Sequence, residues 1–315
     1  RGPRRAGGGV SAGPRPSAPG ARAAVPVIVR ACNDARFIEH TLAGVRSQTV
    51  PAHLVVFDND SDDGTSEVAR RLADDVVRVP RGTYVPGRVL NEAMVRTRGP
   101  IAVFLNADCT PEHDTWLEEL LLAVEPEGVA AAFSRQLPRA GCRTLEALDI
   151  ERCYGDGRRP GRSRHTFSMA ASAVRRRAWE SFPFNGELGY SEDVHWTWRA
   201  RQRGYAVRYA ASSRVFHSHN YTWHELYRRY RGEGEAETDI FEWNRWRRSL
   251  LRYSVLPWGR RVLGDWCHLV PRGQLRTALE SPIYRGVQAA GRRRGFMAGR
   301  IERGAEVGVS TGSRR

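Results

Sequence analysis

The stretch V-F-L-N-A-D-C-T at residues 103–110 decides how this chain is read. Ile101, Val103, Phe104 and Leu105 run into Asn106-Ala107-Asp108, and Pro100 and Pro111 bound the segment. A short apolar run stopped by proline at both ends reads as a buried strand. In open α/β sheets, ligands bind at the carboxyl ends of strands, so Asp108 stands where a carboxylate would be delivered into a crevice. A hard cation such as Mg²⁺ or Mn²⁺ takes oxygen ligands of this kind. The alternative for a single Asp after a strand is to cap the helix that begins near Pro111.

The flanking segments supply the rest of an α/β domain. Val25 to Val29 reads as a strand, followed by a helix with Ile38, Leu42 and Val45 on one face. Leu54 to Phe57 is a second strand that opens into Asp58–Thr65, and a helix carrying Val68 and Leu72 leads to a third strand, Val76 to Val79. This alternation implies a parallel sheet with right-handed crossovers. A helix is expected from about Val89 to Arg96, and another with Trp116, Leu117, Leu120, Leu121 and Val124 facing inward. Residues 135–165 are rich in Arg and Gly with weak periodicity and read as irregular. Phe167 to Val174 reads as a strand of small residues that let a ligand approach the backbone. Glu192-Asp193 opens a helix reaching Arg203, and Tyr205 to Tyr209 and Arg214 to Phe216 are two later strands.

Composition sets outer limits. With 315 residues, 41% hydrophobic and 27% charged, the chain has the make-up of an ordinary globular protein of one or two domains. Its five cysteines are scattered and form no C-x-x-C, which argues against a disulfide framework or zinc site and for a reducing compartment. No apolar run reaches the ~18 residues of a membrane span, and residues 1–24 lack the apolar segment of a signal peptide. A cytoplasmic location, with peripheral contact on the inner membrane face, is therefore the expectation.

All 50 basic residues are Arg, so the net charge of +15 reflects coding bias in part. Its distribution does not. Residues 1–24 hold 5 Arg and no acid, residues 244–315 hold 16 Arg against 4 acids, and the middle carries 29 Arg against 31 acids. Basic ends around a balanced middle suit an anionic membrane or a nucleic acid. The absence of a recognised nucleic-acid module weighs against the second, and no nucleic-acid partner is expected.

The motifs occur in a telling order: V-P-V-I-V-R-A-C-N at 25–33, Gln48, V-V-F-D-N-D-S-D-D-G-T at 55–65, N-A-D at 106–108, S-E-D at 191–193 and H-S-H-N-Y-T at 217–222. This set resembles the family-two glycosyltransferases with the GT-A fold, whose V-D-x-G-S-x-D-G-T signature F-D-N-D-S-D-D-G-T matches. P-G-R-x-L-N at 86–91, with the histidine motif and R-R-Y-R-G-E-G, is most similar to a rhamnosyltransferase-like branch. The resemblance spans roughly residues 25–240. It implies a mixed sheet flanked by helices, between a disordered tail (1–24), a helical basic extension (241–300) and a flexible end (301–315).

The same resemblance implies roles. Asp58 would accept the imide N–H of a uracil or thymine base, with turn formation as the alternative. Ala31, Asn33 and Asp60 lie on the nucleotide side, Asp60 and Asp63 reading also as loop structure and helix N-cap. Asp108 matches the last acid of the family's D-x-D, whose divalent ion (Mg²⁺ or Mn²⁺) bridges the donor diphosphate. Asn106 replaces the first acid and removes a charge, which keeps a non-catalytic relative in view. His217 is a candidate further metal ligand, with His219 beside it. Asp193 matches the catalytic base of inverting members, with Glu192 in support; helix capping is the competing role. Trp196 and Trp198 are candidates for stacking on sugar or for core packing. Arg88, Arg228 and Arg229 are candidate diphosphate partners.

The expected activity is inverting transfer of a hexose, rhamnose being favoured, from a nucleotide-diphosphate sugar to a glycan, lipid-linked or small-molecule acceptor. A sugar-phosphate nucleotidyltransferase is the catalytic alternative, but Arg30-Ala31-Cys32-Asn33 is not its Gly-rich phosphate loop. The C-terminal segment, with Trp246, Leu250, Leu251, Tyr253, Leu256, Trp258, Val262, Leu263 and Trp266 among arginines, suits a membrane interface or a helical extension packed on the domain.

Overall fold

The computed structural model describes residues 23–155, 167–240 and 255–311. Eight strands form one sheet in the order β3-β2-β1-β4-β7-β6-β8-β5. They are β1 (Val25–Ala31), β2 (Ala52–Asp58), β3 (Asp75–Arg78), β4 (Ile101–Asn106), β5 (Thr110–Pro111), β6 (Val129–Leu137), β7 (Ala171–Arg175) and β8 (Ala206–Phe216). The β3-β2-β1-β4 half is parallel, whereas β7 runs antiparallel to both β4 and β6. The helices are α1 (Ile38–Arg46), α2 (Thr65–Leu72), α3 (Pro86–Arg96), α4 (Trp116–Val124), α5 (Thr144–Tyr154), α6 (Arg176–Ser181), α7 (Glu192–Gln202), α8 (Trp223–Ile240), α9 (Leu256–Leu269) and α10 (Leu275–Thr311).

The near-continuous apolar runs of β1, β2 and β4 arise because both sheet faces are covered. Val27, Val29, Leu54, Val56, Val103 and Leu105 feed one core with Leu42 of α1 and Trp116 and Leu120 of α4. Ile28, Val55, Phe57, Ala102 and Phe104 feed the opposite core, with Leu90 and Met94 of α3 and Trp196 of α7. Period-two alternation thus sends successive residues to different layers.

Five sequence expectations change. Strand β6 was not anticipated, because V-A-A-A-F-S is alanine-rich and alanine is a poor strand signal. The segment read as irregular contains the end of β6 and the whole of α5. The two late strands are one, β8, whose pairing with β6 jumps from Ser134↔Ala210 to Arg135↔Arg214 across an irregularity. The small-residue strand is also shorter than expected, beginning at Ala171. Helix α10 continues to Thr311, past residue 301 where a flexible end was expected. The disordered tail and Trp246, Leu250, Leu251 and Tyr253 fall outside the described residues.

The P-G-R-x-L-N motif has a packing role. Gly87 lets the first turn of α3 lie against the 185–186 backbone; a Cβ there would stand 1.9 Å from the Asn185 carbonyl oxygen. Asn91 donates to the Phe184 carbonyl (2.9 Å), and its own carbonyl accepts from Phe184 N–H (3.0 Å) and Trp179 Nε1 (2.8 Å). The motif therefore pins the segment just ahead of S-E-D. Gly87→Ala is expected to cost about 1–3 kcal/mol by overpacking, read as a lower denaturant midpoint with unchanged slope.

Candidate functional site

The motif loops meet at the carboxyl end of the sheet. Register places Asp58 of β2 opposite Ala31 of β1, and Arg30 opposite Asn106 of β4. The segment 32–35 is knitted to the loop 58–66. Asn33 N–H donates to Ser61 Oγ (2.9 Å), Asp62 N–H to Asn33 Oδ1 (3.0 Å) and Asp34 N–H to Thr65 Oγ1 (2.8 Å). Asp63 accepts from the N–H groups of Ala35 (2.9 Å) and Thr65 (3.0 Å), one residue ahead of the N-cap Gly64. Asp60 takes a left-handed φ of 53° where the family signature has glycine, and pairs with Arg78 at 2.6 Å. Asp58 is 2% exposed and accepts hydroxyl hydrogen bonds from Ser61 (2.6 Å) and Ser66. Its carboxylate therefore shapes this loop.

The metal candidates do converge. His217 Nε2 and His219 Nδ1 each lie 3.4 Å from Asp108 Oδ2. His217 Nδ1 lies 2.7 Å from Gln136 Oε1, and the amide of Gln136 is fixed by its Nε2 donating to Ser168 Oγ at 3.0 Å. With Nδ1–H donating to Gln136 Oε1, the neutral tautomer would leave a lone pair on Nε2. That nitrogen is buried, has no hydrogen-bond partner and faces a carboxylate. A proton on Nε2 or a cation between the two groups would satisfy this contact, and an imidazole beside a carboxylate is a donor set that takes a divalent ion. The spacing matches neighbouring positions of an octahedron with ~2.1 Å bonds, roughly 3 Å apart. Burial pushes His219 down to about 3, so its imidazole is neutral and free to ligate. Burial opposes ionisation of Asp108, but His217, His219 and Arg139 outweigh it and hold its carboxyl well below the usual range. The ligand atoms of Asp108, buried Cys109 and His217 all lie within 4.8 Å of one another.

The tail of the site is built by side chains that the motif reading passed over. Glu146 of α5 accepts the N–H groups of His219 (2.7 Å) and Asn220 (2.9 Å), holding the histidine turn. Arg139 donates to the Asp108 carbonyl and lies over the Phe37 ring, 4.3 Å from its centroid. Asp34 is pushed up to about 6 by burial, with the charge of Asp108 adding. Arg30 joins the two acidic motifs: Nη2 donates to Asn106 Oδ1 at 2.7 Å and Nη1 to Glu192 Oε1 at 3.3 Å. This explains Asn106 chemically, because the neutral amide accepts from Arg30 without competing with Glu192 for its charge.

Ser191 takes a left-handed φ of 57° and makes no capping side-chain bond. Glu192 is buried, whereas Asp193 is half-buried, its Oδ2 accepting from Met169 N–H (3.1 Å) and Oδ1 from Val194 N–H (2.7 Å). Burial raises both carboxyls, and the charge of Asp193 raises Glu192 further. The remaining candidates are structural or peripheral in their contacts. Trp196 is fully buried and stacked on Phe182 at 5.2 Å, a core role. Exposed Arg88 bonds the Gly186 carbonyl at 2.8 Å, and Arg229 bonds Tyr221 at 2.7 Å. Gln48 joins α1 to α4 through Gly44, His113 and Leu117.

A sequence model of the family described as Glycosyl transferase family 2 matches residues 27–181. Those residues form a family 2 glycosyltransferase domain. The glycosyltransferase is 29% identical over 243 residues to the O-antigen chain rhamnosyltransferase WbaN of Salmonella anatum, covering 73% of this chain and 71% of that one. It is 26% identical over 255 residues to RfbN of Salmonella typhimurium, an O-antigen chain rhamnosyltransferase, covering 76% of each. In fold it is similar to the mannosyltransferase PcManGT of Pyrobaculum calidifontis, solved with GDP-Man and Mn²⁺ (TM-score 0.58, 18% identity, 88% of this chain and 86% of that one). Glucosyl-3-phosphoglycerate synthase of Mycobacterium tuberculosis, solved with Mn²⁺, UDP-Glc and phosphoglyceric acid, gives a TM-score of 0.52 at 20% identity over 69% and 79% of the chains. The fold is GT-A.

Proposed function

We propose that the glycosyltransferase transfers a deoxyhexose, rhamnose being the favoured sugar, from a nucleotide-diphosphate donor to a hydroxyl of a growing envelope glycan, with inversion. The convergence of His217 and His219 on Asp108 carries this reading, and the rhamnosyltransferase relatives support the sugar. These three residues would hold Mg²⁺ or Mn²⁺, the ions found with the solved fold relatives. When bound, such an ion supplies positive charge beside the diphosphate.

The chain's own residues supply the rest. The 32–35 and 58–63 loops cradle the nucleotide, with Asn33, Asp58 and Asp60 giving them shape. Asp193 takes the proton of the acceptor hydroxyl as its oxygen bonds to the anomeric carbon. The bond from that carbon to the diphosphate oxygen breaks on the opposite face, and the electron pair leaves with the nucleotide. Met169 and Val194 N–H groups orient the Asp193 carboxylate, and Glu192, held by Arg30, fixes the helix start beneath it. Donor screening by nucleotide-diphosphate release, across thymidine-, uridine- and guanosine-linked sugars with and without Mn²⁺, tests the assignment. Release that ignores both the metal and the sugar would refute it.

The pH profile carries a sign. Ordinary carboxyls ionise near 4, but the Glu192–Asp193 pair is raised by burial, Glu192 to about 7. A base works only when ionised, so activity is expected to fall on the acid side at a higher pH than an ordinary carboxylate would set. Arg30 favours the ionised form of Glu192. Arg30→Met should therefore move the acidic limb to still higher pH in a kcat profile.

A further inference from the structure

Helices α9 and α10 carry apolar residues on both faces. Toward the body α9 buries Val262, Asp265 and Leu269, and α10 buries Ala278, Ser281, Tyr284, Arg285, Gln288 and Phe296. The inward contacts are ionic to an unusual degree: Arg285, fully buried, bonds Asp265 (2.8 Å) and Asp149 of α5 (2.5 Å), while Gln288 also bonds Asp149. Outward, the two helices and the turn between them expose Leu263 (60%), Trp266 (41%), Val270 (48%), Leu275 (58%), Leu279 (76%) and Ile283 (63%). A surface helix in water normally keeps its outward face polar. Exposed apolar residues gathered on one hairpin mark an interaction surface.

The surface is also rigid. Pro282 lacks an N–H, so the Ala278 carbonyl has no helical donor; Trp266 Nε1 donates to it at 2.8 Å. Trp258 Nε1 donates to the Pro282 carbonyl at 3.0 Å. The two indoles thus form the seam between the helices, and the outward Leu and Ile residues flank it.

Charge selects the occupant. Between residues 255 and 298 the sequence has eight Arg and two acids. Asp265 is buried and Glu280 is paired with Arg276, while Arg260, Arg272 and Arg276 are exposed among the apolar residues. A second copy of the chain would bring these arginines against their like, which is unfavourable. An anionic lipid surface complements both properties, since apolar side chains and indoles enter the headgroup boundary while arginines meet the phosphates. Among the described residues no helix is long and apolar enough to cross a membrane. We propose that the α9–α10 hairpin docks the protein on the surface of an anionic bilayer. Tyr284 of α10 packs edge-on against Trp223 at 6.3 Å, and Trp223 follows the histidine motif by two residues from Tyr221.

Co-sedimentation of the full chain with vesicles of phosphatidylcholine alone, or with about a third phosphatidylglycerol, tests the docking without any sugar donor. Binding to the anionic vesicles alone, weakened by salt, is the expected result. The exposed triple variant Leu263→Ser, Leu279→Ser, Ile283→Ser should lose it by about tenfold or more, and so should Arg272→Glu with Arg276→Glu. Circular dichroism of both variants should match that of the unaltered chain. No sedimentation, equal binding to neutral vesicles, or a dimer in ultracentrifugation that the triple variant abolishes would overturn the proposal. Because nucleotide release is scored separately, failure of docking and failure of the transferase reading are distinguishable.

Discussion

Asp193→Asn is expected to lower kcat for sugar transfer by roughly 10²–10⁴-fold while donor affinity stays within about threefold of the starting value, a small change on any affinity scale. The separation follows from position. Asp193 is half-buried and oriented by two backbone N–H groups, so it offers a fixed carboxylate to an incoming hydroxyl. Glu192 is buried and committed to Arg30. Glu192→Gln should therefore act less on chemistry and more on the acidic limb of the pH profile, by removing one of two neighbouring negative charges. Single-turnover rates with donor binding measured by calorimetry distinguish these outcomes. A full rate with Asp193→Asn would assign the base elsewhere.

The second large effect concerns the cation. Asp108→Asn should abolish Mn²⁺ binding in the presence of nucleoside diphosphate and reduce metal-stimulated release of nucleotide by about a hundredfold or more, because the residue is the shared partner of both histidines. His217→Ala should weaken the metal as well. Gln136 provides a sharper test, since its side-chain carbonyl reaches the metal candidates through His217 Nδ1. Partners of this kind contribute roughly 10–100-fold to metal affinity by fixing the tautomer and ring. Gln136→Ala is thus expected to raise the Mn²⁺ dissociation constant by about that factor, with activity restored at saturating metal. Electron paramagnetic resonance of free Mn²⁺ measures each constant. Unchanged titrations in all three variants would remove the metal assignment.

Much of this arrangement was legible beforehand. Apolar runs closed by Pro, Gly and Asp marked β1, β2 and β4, since a buried strand needs such a run and a turn to end it. The order of the motifs named the fold class and singled out Asp108, His217 and Asp193 as candidates, of which Asp108 and His217 come together in the fold. Strand β6 and helix α5 were hidden, because alanine and arginine carry little periodic signal and their placement is decided by what packs on them. Arg30 looked like one arginine among fifty. Its meaning comes from lying between Asn106 and Glu192, which are 86 residues apart in the chain.

By itself, the sequence determined the local backbone states, the two-faced burial of the parallel strands and the positions at which carboxylates and imidazoles interrupt them. These depend on side-chain period and on residues adjacent along the chain. Only the tertiary structure decided which of those groups share a partner. The Gln136 clamp that leaves His217 Nε2 facing Asp108, the enclosure of Asp58 by two serine hydroxyls, and the outward turn of the Leu and Ile residues of α10 are all settled across strands and helices. Contacts between distant segments depend on how layers pack, and no linear spacing encodes that.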